Sequence, residues 1–228
     1  MQFREWDELP EFMRNKEVRK YYNSLKRKRF SLMLKRFFDA ILSLFLLILL
    51  SPVFLFVSVW IKMDSPGPVF YRQERVTQYG RIFRIFKFRT MVAGADKKGA
   101  LVTAENDARV TKVGEKIRKY RIDEIPQLLN IITGDMSFVG TRPEVQKYVD
   151  AYTDEMKATL LLPAGVTSKA SIRYKDEGRI LKDVEDMDGT YIQKVLPEKM
   201  KWNLKGIEKF SFWGDFYIMF QTILAVVK

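Results

Sequence analysis

The chain contains no cysteine and no histidine. The first absence excludes disulfides, thiolate nucleophiles, thiolate zinc sites and iron–sulfur clusters. The second excludes imidazole general bases, serine–histidine triads and the usual transition-metal sites. No Walker A run and no dinucleotide-binding glycine fingerprint occurs either. Polar chemistry must therefore come from Asp, Glu, Lys, Arg, Tyr, Ser or Thr, and a metal would be a hard ion held by oxygen. Acidic residues are in deficit, 28 against 40 Lys and Arg, a formal charge of +12 over 228 residues. Such an excess calls for an anionic partner, and three classes qualify: nucleic acid, an anionic lipid surface, or a phosphate-rich substrate. A hydrophobic fraction of 47% is enough to fill the core of one domain with an accessory segment.

Residues 40–61 run AILSLFLLILLSPVFLFVSVWI without a charge. At about 1.5 Å per residue this stretch is long enough to cross a bilayer as a helix. A cleaved signal peptide fits poorly, because no small-residue cleavage site follows, only Lys62, Met63 and Asp64. A soluble core helix that is apolar on every face for this length is unusual. Ser51-Pro52 interrupts the segment, and proline kinks or breaks a helix. A kinked span and a re-entrant hairpin are both open. Charge favours the hairpin: cations precede the segment (Lys26 to Arg29, Lys35, Arg36) and follow it (Lys62, Arg72, Arg75, Arg81). The positive-inside rule places both flanks on the cytoplasmic side, which one span cannot do.

Residues 11–30 read as an amphipathic helix whose basic end, residues 26–29, suits anionic headgroups. Residues 210–227 are aromatic and apolar but interrupted by Asp215 and Gln221, so they either lie in the interface or pack on the domain. Residues 69–76 and 81–88 alternate as two strands joined near Gly80. Residues 97–106 read as a loop. Residues 113–120 and 125–133 have helical spacing, the second stopped by Gly134. Residues 144–162 read as a longer helix opened by residues 140–143, and residues 178–195 as a helical stretch interrupted near Asp188-Gly189. The expected fold is α+β, mostly helical with a few short strands, on a monotopic membrane protein. Its expected divisions are residues 1–36, a hairpin at 37–62, a catalytic domain at 63–207 and a C-terminal amphipathic helix at 208–228.

The densest polar constellation runs from Arg118 to Gln127 and includes Lys119, Arg121, Asp123 and Glu124. Pro126 suits a first helical turn, which puts Asp123 at or near an N-cap, and Asp is a favoured cap. The functional alternative is an anion site in which cations keep Asp123 ionised and facing a phosphoryl group. That is the arrangement for a phospho-aspartyl intermediate, with repulsion cancelled by cations including Mg²⁺. Asp7-Glu8-Leu9-Pro10 resembles this pair locally but lacks the preceding cations. Lys87-Phe-Arg89 and Arg142-Pro143 are further basic clusters, and arginine suits bidentate phosphate binding. Solvated or lipid-facing charge is the plain alternative for each.

Seven motifs occur in order: Lys35-Arg-Phe-Phe-Asp39, the break at Ser51-Pro52, Asp64-Ser-Pro-Gly-Pro-Val-Phe70, Gln73-Glu-Arg-Val76, Lys87-Phe-Arg-Thr-Met91, Asp123-Glu-Ile-Pro-Gln127 and Met136-Ser-Phe-Val-Gly-Thr-Arg-Pro143. Together they resemble the bacterial sugar transferases that start glycan assembly, the monotopic phosphoglycosyl transferases. The resemblance spans about residues 30–181. It implies transfer of a sugar 1-phosphate from a UDP-sugar to a polyprenyl phosphate at the cytoplasmic face of the bacterial inner membrane, through a ping-pong course. It implies a re-entrant hairpin at Ser51-Pro52, Asp123 as nucleophile and Mg²⁺ ligand, and Glu124 in support. It also implies Arg118 and Arg142 near the phosphates, with Lys87 and Arg89 in a basic motif of less defined role. The implied partners are the UDP-sugar, the polyprenyl phosphate and membrane lipid, with no nucleic acid; self-association into a homo-oligomer is left open.

Thr141 replaces the proline common in the family, and residues 163–177 diverge after Thr167, which bears on donor choice. The first thirty residues lie outside the resemblance. Two other classes stand against this reading. One is a non-catalytic membrane module that binds anionic lipid or nucleic acid. The other is an anchored hydrolase with paired carboxylates.

Overall fold

The computed structural model of the protein describes residues 3–95, 107–175, 184 and 186–227. The expected loop at residues 97–106 lies outside them, as does most of 178–185.

Asn15 opens the first helix by accepting a hydrogen bond from the Val18 amide at 2.8 Å. Helix α1 follows at Lys16–Lys26. Its stripe of Val18, Tyr21, Tyr22 and Leu25 is turned onto Leu161, Leu196 and Met200, not onto a lipid surface. An apolar stripe at helical spacing serves a protein core or a lipid surface, and a protein core takes this one. Lys26 and Arg29 pair with Glu5 at 3.0 and 2.7 Å, and Lys28 donates to the Phe210 carbonyl at 2.7 Å.

Helix α2 spans Arg29–Leu49 and α3 spans Ser51–Asp64, bent by 61° between them. Ser51 Oγ donates to the Ile48 carbonyl at 2.8 Å, and Pro52 sits in the first turn of α3, where its missing donor costs nothing. Among the described residues no single helix is long and apolar enough to cross a membrane; this bent pair passes by length and composition. Helix α2 is amphipathic in the inverted sense. Lys35, Asp39 and Ser43, four residues apart, are buried, while Phe30, Phe37, Phe45 and Ile48 are exposed. Leu55, Phe56 and Met63 extend the exposed apolar face along α3.

Strands β1 (Phe70–Val76) and β2 (Ile82–Phe88) pair antiparallel, from Phe70 opposite Phe88 to Val76 opposite Ile82. The expected hairpin is present. Its turn uses Tyr79 at φ 59° and Gly80 at φ 77°, and a Cβ on Gly80 would stand 2.7 Å from the Phe12 ring.

Helix α4 (Lys112–Lys119) and helix α5 (Gln127–Thr133) fall where the spacing predicts them. Strand β3 (Met136–Val139) pairs parallel with β4 (Ala164–Thr167). The expected helix over residues 144–162 is not formed. Arg142 precedes a proline, which disfavours helical backbone, and Val145 is still extended before the short α6 (Gln146–Val149). Thr153 Oγ1 then accepts from the Met156 amide at 3.3 Å, and the chain continues as a 3₁₀ turn, Met156–Leu161. Helix α7 (Lys169–Arg173) follows β4. Helix α8 (Met187–Thr190) contains Asp188-Gly189 unbroken and runs through a π-turn, Tyr191–Val195, into α9 (Leu196–Glu208). Helix α10 (Phe212–Val227) packs on α2 through Phe212 and Phe216 against Phe38. Helix dominates, and the short strands form two two-stranded sheets, an α+β architecture as expected.

Candidate functional site

Asn130 fixes the site. Its side chain accepts from the Phe86 amide at 2.8 Å and donates to the Arg84 carbonyl at 3.1 Å, so α5 is stapled to the free edge of β2. From the other side Arg36 of α2 donates to the Ile131 and Ile132 carbonyls at the end of α5. Gly134 at φ 85° closes that end. The segment before α5 is thereby held between the end of β2, which carries Lys87, and the loop after β3, which carries Arg142.

That loop is positioned by close backbone approach. A Cβ on Gly165 would lie 2.1 Å from the Gly140 amide nitrogen, so only glycine lets β4 come this near. Arg75 donates to the Pro143 carbonyl at 3.3 Å.

Asp123 and Glu124 lie in a 3₁₀ turn, Ile122–Glu124, introduced by Arg121 in the left-handed region at φ 55°. The helix that follows begins after Pro126, so Asp123 is not its N-cap, and α5 is too short for an anion site of its own. Lys87, Arg142 and Arg121 gather on Glu124 rather than at the N-terminus of α5. Glu124 Oε1 receives Arg142 Nη2 at 2.6 Å and Lys87 Nζ at 3.0 Å, with Arg121 Nη1 at 3.8 Å. Arg142 Nη1 reaches Oε2 at 3.4 Å.

The two carboxylates are driven apart. Burial opposes ionisation of Glu124, but Arg142 and Lys87 overcome it and hold its carboxyl well below the usual range. Burial pushes Asp123 upward, Lys87 pulls it back, and the negative Glu124 pushes in the same direction as burial. Lys87, Arg118 and Arg121 favour the ionised form of Asp123, against burial and the charge of Glu124. Glu124 absorbs the cations, and Asp123, 8% exposed, keeps an Oδ1 that makes no hydrogen bond among the described residues. Lys87 is itself lowered by burial against the pull of Glu124.

Of the other expected residues, Arg118 is half-buried on α4, and its charge favours ionised Asp123. Arg89 is not brought to this cluster. It is buried and donates to the Ser65 carbonyl at 2.7 Å and to that of Pro66, pinning the turn after α3. Arg75, Asn130 and Arg36 were not singled out as site residues. Arg75 and Arg36 lie in quoted motifs and Asn130 follows one, but the partners that place them here are 44 to 96 residues away, beyond any local pattern.

A cavity of about 800 Å³ opens beside Glu124. Arg121, Arg142 and Lys175 contribute charge to its lining, and Leu46 of α2, Leu50 at the break before α3 and Ala225 of α10 contribute apolar surface. Thr167 and Thr222 join its walls across a 2.7 Å hydroxyl contact. A polar head and an apolar chain could share this space. Among the described residues no three acidic side chains gather into a metal cage. A magnesium ion held by one carboxylate and by substrate phosphates needs no such cage, and the unpaired Asp123 oxygen suits it.

The family described as bacterial sugar transferase matches residues 30–228. The chain is 36% identical over 197 residues to a UDP-N-acetylgalactosamine-undecaprenyl-phosphate N-acetylgalactosaminephosphotransferase of Aeromonas hydrophila, covering 85% of this chain and 44% of that protein. It is 33% identical over 195 residues to a UDP-glucose:undecaprenyl-phosphate glucose-1-phosphate transferase of Escherichia coli, covering 84% and 39%. A protein of that same description from Caulobacter vibrioides is 33% identical over 196 residues, covering 85% and 69%. The chain thus spans less than half the length of the first two relatives.

Proposed function

The chain belongs to the bacterial sugar transferase family, and from that membership and the paired carboxylates we propose that it moves a sugar 1-phosphate from a UDP-sugar to undecaprenyl phosphate, an opening step of glycan assembly. The observation that carries the chemistry is the division of labour between Asp123 and Glu124. Glu124 is neutralised by Lys87 and Arg142 and is a poor nucleophile. Asp123 keeps an Oδ1 with no hydrogen-bond partner among the described residues.

In the proposed first half, the Asp123 carboxylate attacks the phosphorus that bears the sugar. The bond from that phosphorus to the bridging oxygen breaks, and UMP leaves with the electron pair. In the second half, a phosphate oxygen of the polyprenyl acceptor attacks the same phosphorus and Asp123 leaves as carboxylate. Arg142 and Lys87 lie where the phosphate charge builds up, and Arg118 adds positive potential from α4. Asp123 would hold a magnesium ion together with phosphate oxygens; bound there, it would neutralise phosphate charge.

The inverted helix α2 supports a membrane-seated protein. Apolar side chains facing outward over α2 and α3, with polar ones inward, suit lipid as the neighbour. The 61° break at Ser51-Pro52 supports a re-entrant hairpin that enters and leaves on the cytoplasmic face. The sugar differs among the relatives, so the donor is proposed as a UDP-sugar class. The test incubates the protein with a panel of UDP-sugars, Mg²⁺ and undecaprenyl phosphate. Equal amounts of UMP and lipid-linked sugar are expected. Free sugar 1-phosphate without lipid product would point to the hydrolase class, and salt-sensitive lipid binding without turnover to the non-catalytic module.

A further inference from the structure

Gln127 is the first residue of α5, which follows the turn that carries Asp123. It is 1% exposed, and neither Oε1 nor Nε2 makes a hydrogen bond among the described residues. It borders the same cavity as Glu124 and Arg142. A primary amide has two donors and an acceptor with two lone pairs. Burying all of them unmet costs stability, and a position serving packing alone is better filled by an apolar side chain of the same shape. The neighbouring Asn130 makes the contrast: it too is buried, and its amide is satisfied by the β2 edge at both ends.

We propose that Gln127 is a substrate-binding residue whose amide is completed by the transferred group. Nε2 donates to an oxygen of the sugar-bearing phosphate, and Oε1 accepts from a hydroxyl of the sugar. The class of ligand follows from the surroundings. The cations that line this cavity, Arg121 and Arg142 among them, select an anion, while an amide, unlike a cation, offers an acceptor as well, which a sugar hydroxyl needs. The placement fits a group that must be held as it passes through Asp123, since Gln127 borders the cavity beside Glu124, the neighbour of Asp123 in the chain. This inference rests on the transferase reading.

The test compares the full-length parent chain with Gln127→Met, which keeps length and burial but removes the amide. Two quantities are read: UMP release from the preferred UDP-sugar at saturating concentration, and thermal unfolding of the ligand-free protein. The expected result is a loss of UMP release of about 10- to 100-fold, the scale of one hydrogen bond to a charged group, with a melting temperature unchanged or raised. Unchanged UMP release would overturn the inference. So would a loss of activity accompanied by a lowered melting temperature, because the amide would then be bonded within the fold, for instance to Asp123. If the parent chain releases no UMP from any UDP-sugar, the transferase reading falls and this role falls with it. A working parent beside an equally working Gln127→Met removes this inference alone.

Discussion

Two adjacent carboxylates respond in opposite directions to the loss of their charge. Asp123→Asn removes a buried charge whose Oδ1 has no hydrogen-bond partner among the described residues, so folding stability is expected to hold or rise. UMP release is expected to fall by about three orders of magnitude or more, as for a lost nucleophile. Glu124→Gln leaves Lys87 and Arg142 without their counter-charge in a largely buried place, at a cost of about 3 kcal/mol. Thermal unfolding of both variants beside the parent checks the contrast. The pH dependence follows with a definite sign. A raised carboxyl pKa means that the folded state holds its proton to higher pH than the unfolded chain, so ionising Asp123 lowers stability as pH rises through that value. For activity the same shift places the acid limb of UMP release above the ordinary carboxylate value of about 4. Lys87→Met removes a cation that favours ionised Asp123, so the limb is expected to move to higher pH at fixed Mg²⁺. A limb that stays in place would separate Lys87 from the nucleophile. The carboxylate pair and its surrounding cations were legible in residues 118–127, but their opposite electrostatic states were not. Those depend on Lys87 and Arg142 both choosing Glu124, and no local pattern encodes that choice.

Elements show the same limit on a larger scale. The β1–β2 hairpin was legible because alternation and a turn glycine are local properties, and so was α5, with its glycine stop. Residues 144–162 were misread because Tyr148, Tyr152 and Leu160 recur at helical intervals, while the chain turns between them to pack under α1. The join between the bent helix pair α2–α3 and the rest was also illegible. It is made by Lys35 of α2, whose Nζ lies 2.7 Å from Asp215 of α10 and 3.4 Å from Asp39. Ser137 of β3 donates to Asp39 at 2.7 Å. This buried cluster fastens α2, α10 and the strand leading to Arg142. Asp215→Ala leaves Lys35 with only the longer contact and is expected to cost about 3 kcal/mol. Calorimetry in one detergent should register it as a fall of about 6–12 °C in melting temperature. No change would mean that α10 is not anchored through this pair.

At the scale of the whole molecule, charge and apolar surface divide the labour. The excess of +12 favours an anionic lipid face and phosphate substrates, and the outward side chains of α2 and α3 favour acyl chains. Since the chain has no cysteine, single cysteines at the exposed positions Asn23 and Arg72 report topology without interference. Both are expected to label from the same side of sealed vesicles. Replacing Ser51 and Pro52 together with Ala is expected to straighten the 61° bend and move the two labels to opposite sides. Labels on opposite sides of the parent would refute the hairpin.

Transfer through a bond between Asp123 and phosphorus is open to direct observation. Given UDP-sugar and Mg²⁺ without acceptor, intact and peptide mass spectrometry should find a sugar-phosphate mass on the peptide that carries Asp123, and it should vanish when undecaprenyl phosphate is added. Lipid-linked product forming at full rate from Asp123→Asn, with no adduct on the parent chain, would contradict it.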